Sequence, residues 1–329
     1  MRVQAFFAAV LLALPLATAA SAADPILIKF SHVVAPDTPK GKGALKFKEL
    51  AEAALPGQVK IEVYPNSQLY KDKEELEALQ LGSVQMLAPS LAKFGPLGAK
   101  EFEVFDLPYI FADKTALHKV TEGPVGKSLL AKLEPKGITG LAFWDNGFKI
   151  LSANKQLKSP DDLLGLKMRI QSSKILEAQM KALGASPQVM AFSEVYQGLQ
   201  TGVVDGTENP PSNMFTQKMH EVQKFATITN HGYLGYAVIV NKPFWDALPA
   251  PVREALAKAM TEASVYEYEL AQKENDDSLA AMKASGKTQF SVPTPEEQKV
   301  WMAALLPVQK EMASRVGVEL VEAIKAANK

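Results

Sequence analysis

The sequence predicts an α/β protein of two lobes joined by a hinge, and three observations carry that prediction. Strand and helix patterns alternate with short connections through the first hundred residues, as parallel strands with right-handed crossovers require. About 300 residues remain after an apparent leader, with 47% apolar composition, enough to bury a large core and normally divided into two domains. Turn signals at Asn146-Gly147 and at Asn230-His231-Gly232 then offer two places for the chain to cross between those domains.

Met1 to Ala22 carries Arg2 as its one charge, an apolar run from Ala5 to about Ala17, and Ala20-Ser21-Ala22 before Ala23. This is the pattern of a secretory signal peptide, too short and wrongly flanked for a membrane span. The mature chain is expected to begin near Ala23 or Asp24. Ile26 to Ser31 alternates as a strand, and a loop with His32, Asp37 and Thr38 leads into a helix begun by Pro39, where Thr38 and Pro39 suit the cap and first turn. Val59 to Tyr64 is the next strand, Asp72 to Leu81 a helix, and Val84 to Ala88 a third strand. Ligands of open parallel sheets bind beyond the strand carboxyl ends, which places the loop after Ser31 and the loop Pro89 to Lys93 on one rim.

Phe102 to Ile110 is aromatic and apolar, Lys114 to Leu133 reads as an amphipathic helix, and Gly140 to Asp145 as a strand. The chain is expected to cross at Asn146-Gly147 into a strand Phe148 to Ala153, on whose polar face Lys149 stands. Ala226 to Thr229 and Ala237 to Val240 carry it back, with residues 230–232 as a hinge turn. A helical pattern runs from Pro243 to about Ser285, broken near Leu248 to Pro251, and its later part spans about 50 Å at 1.5 Å per residue. Thr288 to Val292 is a short strand, and Pro295 to Ala327 is helical. The expected division is 23–146 plus 235–274 for the first lobe and 147–234 plus 275–329 for the second.

The central stretch is Leu166 to Asn213. Lys167, Arg169 and Gln171 alternate with Leu166, Met168 and Ile170, so Arg169 leaves a strand on its polar face. Ser172 and Ser173 follow and can cap a helix with Ile175, Leu176, Met180 and Leu183 at helical spacing, ended by Gly184. A guanidinium grips a carboxylate through two parallel hydrogen bonds, and a helix start favours negative charge. A surface ion pair explains the arginine equally well on this local pattern. Phe192 to Gln200 reads as a short helix, Val203 and Val204 as part of a buried strand, and Asp205 to Pro211 as a tight turn into another helix. Asn209 there can meet a ligand or cap that helix.

Charge is balanced, with 36 basic and 36 acidic residues, so nothing electrostatic points to nucleic acid or an anionic membrane surface. No later run of about 18 apolar residues suggests membrane insertion. Cysteine is absent, which removes disulfides, thiol catalysis and thiolate metal sites. His32, His118, His220 and His231 are scattered without metal-ligand spacing, there is no G-x-S-x-G elbow, and no glycine-rich phosphate motif is present. No metal or cofactor is expected.

MAFSEVYQGLQTGVVDGTENP, with LKMRIQ upstream and EVQKFATITNH downstream, resembles the substrate-binding proteins of TRAP (tripartite ATP-independent periplasmic) transporters. FSHVVAPDTPKGKGA, VYPNSQLYKDKEELEALQLGSVQMLAPSLAKFGPL and FEVFDLPYIF extend the likeness along the mature chain to the DctP, or dicarboxylate-binding, branch. The resemblance implies a periplasmic-binding-protein-like fold with a long helix across both lobes. It implies a periplasmic, non-enzymatic receptor that closes on malate, succinate or fumarate and delivers it to a TRAP permease. In the family the Arg169 position anchors a carboxylate.

The remaining candidates follow from what a small dianion needs. Buried carboxylates must each meet charge or several donors, so Lys149 and Lys93 are expected at the second carboxylate, with Asn209 setting orientation. Phe192 is expected near the ligand, and His32, Ser172, Ser90 and Asn213 complete the set. Sialic-acid-binding members carry Arg at the Lys149 position and Glu at the Ser90 position, a departure that implies a compact diacid here. Two other functions remain compatible: a same-fold receptor for a sensor kinase, and a periplasmic enzyme acting on a keto or hydroxy acid with Lys149 as base or Schiff-base amine. The default oligomeric state is a monomer.

Overall fold

The computed structural model describes residues 24–328, so the signal peptide expected at 1–22 lies outside the described residues. Its strands are β1 (Ile26–Ser31), β2 (Val59–Tyr64), β3 (Met86–Leu87), β4 (Ile138–Phe148), β5 (Ile150–Ala153), β6 (Lys167–Ile170), β7 (Ser186–Val189), β8 (Gly206–Asn209), β9 (Phe225–Thr227), β10 (Tyr233–Asn241) and β11 (Gln289–Ser291). They form two sheets, ordered β2-β1-β3-β10-β4 and β11-β9-β5-β8-β6-β7.

β1 and β2 have the bounds their alternation predicts, and β1 pairs in parallel with both β2 and β3. The helix between β1 and β2, Pro39–Ala54, buries Ala44, Phe47 and Ala51 against the sheet. Its start follows local chemistry: Gly41 N donates to Thr38 Oγ1 at 3.1 Å, and Pro39 occupies the first turn. Gly41 is required there, because a Cβ would lie 2.5 Å from both Ala35 O and Pro36 O. That close approach folds the 32–38 loop back onto the helix.

The Asn146-Gly147 turn does not form. β4 runs on to Phe148, paired antiparallel with β10, and the register passes from Asp145 opposite Gly235 to Gly147 opposite Leu234. Asn146 is thus the extra residue of a β-bulge, and strand pairing has overridden a local turn preference. The chain crosses instead at Lys149, whose N–H donates to Gly232 O at 2.8 Å on the returning segment. Asn230, in the left-handed region at φ 47°, bends that return.

The third crossing is the helix Ala250–Ser285, 36 residues and about 54 Å long. Near its start Val252, Leu256, Met260 and Ala263 pack with Trp144 and Val238 of the first sheet. Near its end Met282 packs with Val195, Leu199 and Met214 beside the second. Other expectations shift for identifiable reasons. Gly123-Pro124 splits the 114–133 helix into Lys114–Thr121 and Pro124–Ala131. Val203 is 57% exposed, and the strand begins later, at Gly206. Gly317, at φ 104°, divides the last helix, after which Val321 and Ile324 join Phe105, Leu117 and Ile239 in the first-sheet core rather than the second. Among the described residues no helix is long and apolar enough to cross a membrane.

Candidate functional site

Two adjoining chambers lie where the two sheets' loops face each other. The inner, about 260 Å³, is walled by Val33, Val34, Ser90 and Tyr236 from the first-sheet side and Phe192, Asn209 and Asn213 from the second. The outer, about 870 Å³, reaches exposed residues Lys73 and Glu77 and contains Arg169 and Ser172. Asp72, Lys93 and Gln171 line both. The loop after Ser31 and the Pro89–Lys93 loop share one rim, as the parallel strands dictate. The inner chamber is the smaller of the two, so it suits a compact ligand.

Arg169 is 2% exposed, because β6 is covered on both faces. Its Nε and Nη2 donate to Met190 O at 3.0 and 2.9 Å, and its guanidinium lies 5.8 Å from the Phe192 ring centre. Among the described residues it forms no ion pair. Burial lowers its pKa, and the charges of Asp72 and Glu208 oppose that shift. A buried guanidinium held only by a carbonyl is unfavourable unless an anion completes it. Ser172 opens on the same chamber, while the capping role goes to Ser173, whose Oγ accepts from Ile175 N and Leu176 N.

Two lysines expected at the ligand each have carboxylate partners within the protein. Lys93 Nζ is ion-paired with both Asp72 and Glu75. Burial works against the Asp72 carboxylate, yet Lys93 and Arg169, with hydrogen bonds from Lys93 and Phe192 N, hold its pKa down to about 2. Lys149 lines neither chamber. Its Nζ pairs with Glu208 Oε1 at 2.7 Å, and Glu208 Oε2 meets His231 Nε2 at 2.8 Å. Against burial, Lys149 and His231 hold Glu208 near 2. This buried triad ties β8 to the two chain crossings, the position a Lys free for ligand or for Schiff-base chemistry would have to leave.

Asn209 ends β8 and is no cap, since Pro210 holds that position. Asn213 Nδ2 donates to Asn209 Oδ1 at 3.4 Å. Ser90 Oγ accepts from Gln171 Nε2 at 2.6 Å, and Asp72 Oδ2 from Phe192 N at 2.6 Å, so both bonds join the two sides. On the rim, Lys71 and Glu194 add an exposed pair at 2.9 Å. His32 is fully buried beside the site and lines neither chamber, and both its ring nitrogens lack partners among the described residues. Burial, then Lys40, drives its pKa to about 3, so it stays neutral.

Lys40 is the cation that sequence reasoning missed. In the sequence it is one of four lysines in the first helix, with nothing local to separate it from solvated neighbours. The structure buries it to 1% exposure on the inner chamber, with Nζ donating to Ala88 O at 2.9 Å and lying 3.8 Å from the Tyr236 ring centre. Burial, followed by repulsion from Lys93, lowers its pKa to about 7. Tyr236, Asp72 and Gln171 were likewise missed. The assembled site offers two cations without a carboxylate of their own, Arg169 and Lys40, with amide and hydroxyl groups between. Among the described residues no His, Asp or Glu cluster is placed to hold a metal.

The family described as bacterial extracellular solute-binding protein, family 7 (DctP), matches residues 30–315. The C4-dicarboxylate-binding periplasmic protein DctP of Rhodobacter capsulatus is 73% identical over 305 residues, covering 93% of this chain and 92% of its own. A TRAP periplasmic solute-binding protein of Shewanella oneidensis with bound succinate superposes with a TM-score of 0.91 at 43% identity, covering 93% of this chain and 100% of its own. One from Pseudomonas aeruginosa with bound L-malate gives 0.85 at 45% identity, covering 87% and 100%.

Proposed function

We propose, from the premise that this chain belongs to the DctP family of bacterial extracellular solute-binding proteins, that it captures C4-dicarboxylates between its lobes for a TRAP membrane permease. It is a periplasmic binding protein, not an enzyme. Residues 1–22 are removed on export, and the mature chain acts as a monomer. The first lobe comprises 24–148, 233–271 and the C-terminal helix and the second 150–232 and 275–305, a division the cores support except where Val33, Val34 and Ala92 pack with the second sheet and Ile175 with the first.

The single observation that carries the ligand class is Arg169, buried and forming no ion pair among the described residues, in a chamber adjoining the small one that holds Lys40. Arg169 anchors one carboxylate with Ser172 beside it. Lys40, Asn209, Asn213 and Tyr236 receive the other. Lys93, already neutralised, shapes the wall with Asp72 and Ser90, Phe192 closes the apolar side, and Lys149 holds the crossing. Ligand contacts both lobes and therefore favours the closed state, already bridged by Ser90 to Gln171 and Asp72 to Phe192 N. Malate, succinate and fumarate share the two carboxylates this arrangement reads.

Thermal melts of the refolded, ligand-stripped mature protein test this directly. A diacid at 1,000 times its dissociation constant adds about 4 kcal/mol, a shift of roughly 6 °C. The shift is expected with malate, succinate and fumarate, not with sialic acid, and is lost in Arg169→Met. No shift with any C4 diacid would remove the ligand class.

A further inference from the structure

Asn146 lines neither chamber, yet it is completely buried and its carboxamide is fully engaged. Its Nδ2 donates to Asn213 Oδ1 at 2.9 Å and to Tyr236 Oη at 2.5 Å, while its Oδ1 accepts from Ser212 Oγ at 2.9 Å. Its backbone oxygen accepts from Asn275 Nδ2 at 2.6 Å, and Asn275 Oδ1 accepts from Ser212 N at 3.0 Å. One bulge residue of the first sheet thus joins the helix Pro211–Thr216 and the long helix. Asn213 and Tyr236, but not Asn146, face the inner chamber.

A chain of hydrogen-bonded amides has a direction. Both N–H groups of Asn146 point at Asn213 and Tyr236, so each of these must turn an oxygen toward it. The Tyr236 hydroxyl proton is then directed away from Asn146, toward Asn213 or the chamber, the other two neighbours of its oxygen. The Asn213 NH2 group is turned toward Asn209 Oδ1, at 3.4 Å, and the chamber beyond. At Asn213 and Tyr236 the donors therefore face inward, the polarity an acceptor-only carboxylate needs, whereas Asn209 keeps its Nδ2 on Thr207 Oγ1 at 3.3 Å.

We propose that Asn146 is a positioning residue for ligand binding, which fixes the hydrogen-bond polarity of the inner chamber through Asn213 and Tyr236. This rests on the carboxylate-binding reading of the site. Asn146→Asp keeps the shape and removes the donors: Tyr236 then donates to the new carboxylate, and Asn213 turns its oxygen to the chamber. A merely space-filling residue would tolerate that exchange.

Titration calorimetry of the mature protein with succinate between pH 5 and 8 tests the proposal, in wild type, Asn146→Asp, Tyr236→Phe and the double variant. Affinity is expected to fall about 30- to 1,000-fold in Asn146→Asp near neutrality, the loss of charge-assisted hydrogen bonds. The deficit narrows toward pH 5, where protonation restores a donor. Tyr236→Phe weakens wild type but adds nothing to Asn146→Asp, because the hydroxyl has already been diverted. Unchanged affinity, or a pH-independent loss to which Tyr236→Phe adds in full, overturns the positioning role. Should Asn146→Asp not fold, Asn146→Ala releases both partners without diverting the hydroxyl: affinity is then expected to fall by the same amount at every pH, with a reduced further loss on Tyr236→Phe, and unchanged affinity overturns the positioning role. Wild type that binds no C4 diacid would instead overturn the functional reading beneath it.

Discussion

Replacing Lys149 with methionine is expected to damage the fold more than the ligand site. The Lys149–Glu208 pair is 2.7 Å long with both side chains about 2% exposed, so its gross attraction is about 6 kcal/mol at an effective dielectric of about 20. Desolvation of both ions offsets most of that, and the intact pair adds little net stability. Deleting one partner is another matter. Glu208 would remain buried and charged, a loss of about 3–5 kcal/mol, and the surviving contact from His231 at 2.8 Å places the cost near the lower end. For a chain of this length that corresponds to a fall in melting temperature of about 5 °C. Adding Glu208→Gln to Lys149→Met removes the stranded charge and should recover about 1–2 kcal/mol as a coupling energy. Ligand-free thermal melts of the two single variants and the double give the stability cycle, and calorimetry with succinate gives affinity. Because Lys149 lines neither chamber, affinity at saturation of the folded state should stay within about threefold, well under one 1.4 kcal/mol decade. A Lys149→Met protein as stable as wild type but about 100-fold weaker for succinate would refute this assignment and return Lys149 to the ligand.

Two further outcomes follow from the buried charges. Lys40, lowered to about 7 in the free protein, must be charged to meet a carboxylate, so ligand raises its pKa; affinity is complete below about pH 7 and declines above it, by up to about tenfold per pH unit. Succinate titrations from pH 6 to 9 check this, and Lys40→Met should bind weakly with no such slope; a wild-type affinity flat across that range contradicts Lys40 as the second cation. Asp72 titrates near 2 in the fold against 3.8 ordinarily, so its stabilisation is fully present above about pH 4 and disappears as pH falls through 2, worth about 2 kcal/mol. Comparing wild type with Asp72→Asn by urea unfolding at pH 6 and pH 2 should show a stability gap that closes in acid, and a gap independent of pH would contradict the charge-based account.

Much of the architecture was legible in local sequence. The Ile26–Ser31 alternation, the Thr38-Pro39 start and the long run ending near Ser285 each carry their signal within a few turns or strand residues, where steric and hydrogen-bond preferences act. Arg169 was legible as the polar-face residue of an alternating strand, but its expected anchoring role came from the family resemblance, since a surface ion pair fitted the local pattern equally well. The Asn146-Gly147 pair was not, because the same dipeptide serves a turn or a bulge, and only pairing with Tyr233–Asn241 selects the bulge. The lysines show the limit most clearly. Lys40, Lys93 and Lys149 carry the same charge and similar local settings, but whether a charge is available depends on what stands within a few ångströms. Glu208 lies 59 residues from Lys149, and Glu75 lies 18 from Lys93. The sequence alone therefore determined the fold class through short-range periodicity and residue type, while the family resemblance it carries supplied the expectation of an anion and of Arg169 as its anchor. Tertiary structure decided which cations already have a carboxylate partner, since pairing and desolvation are properties of neighbours that the chain order does not reveal.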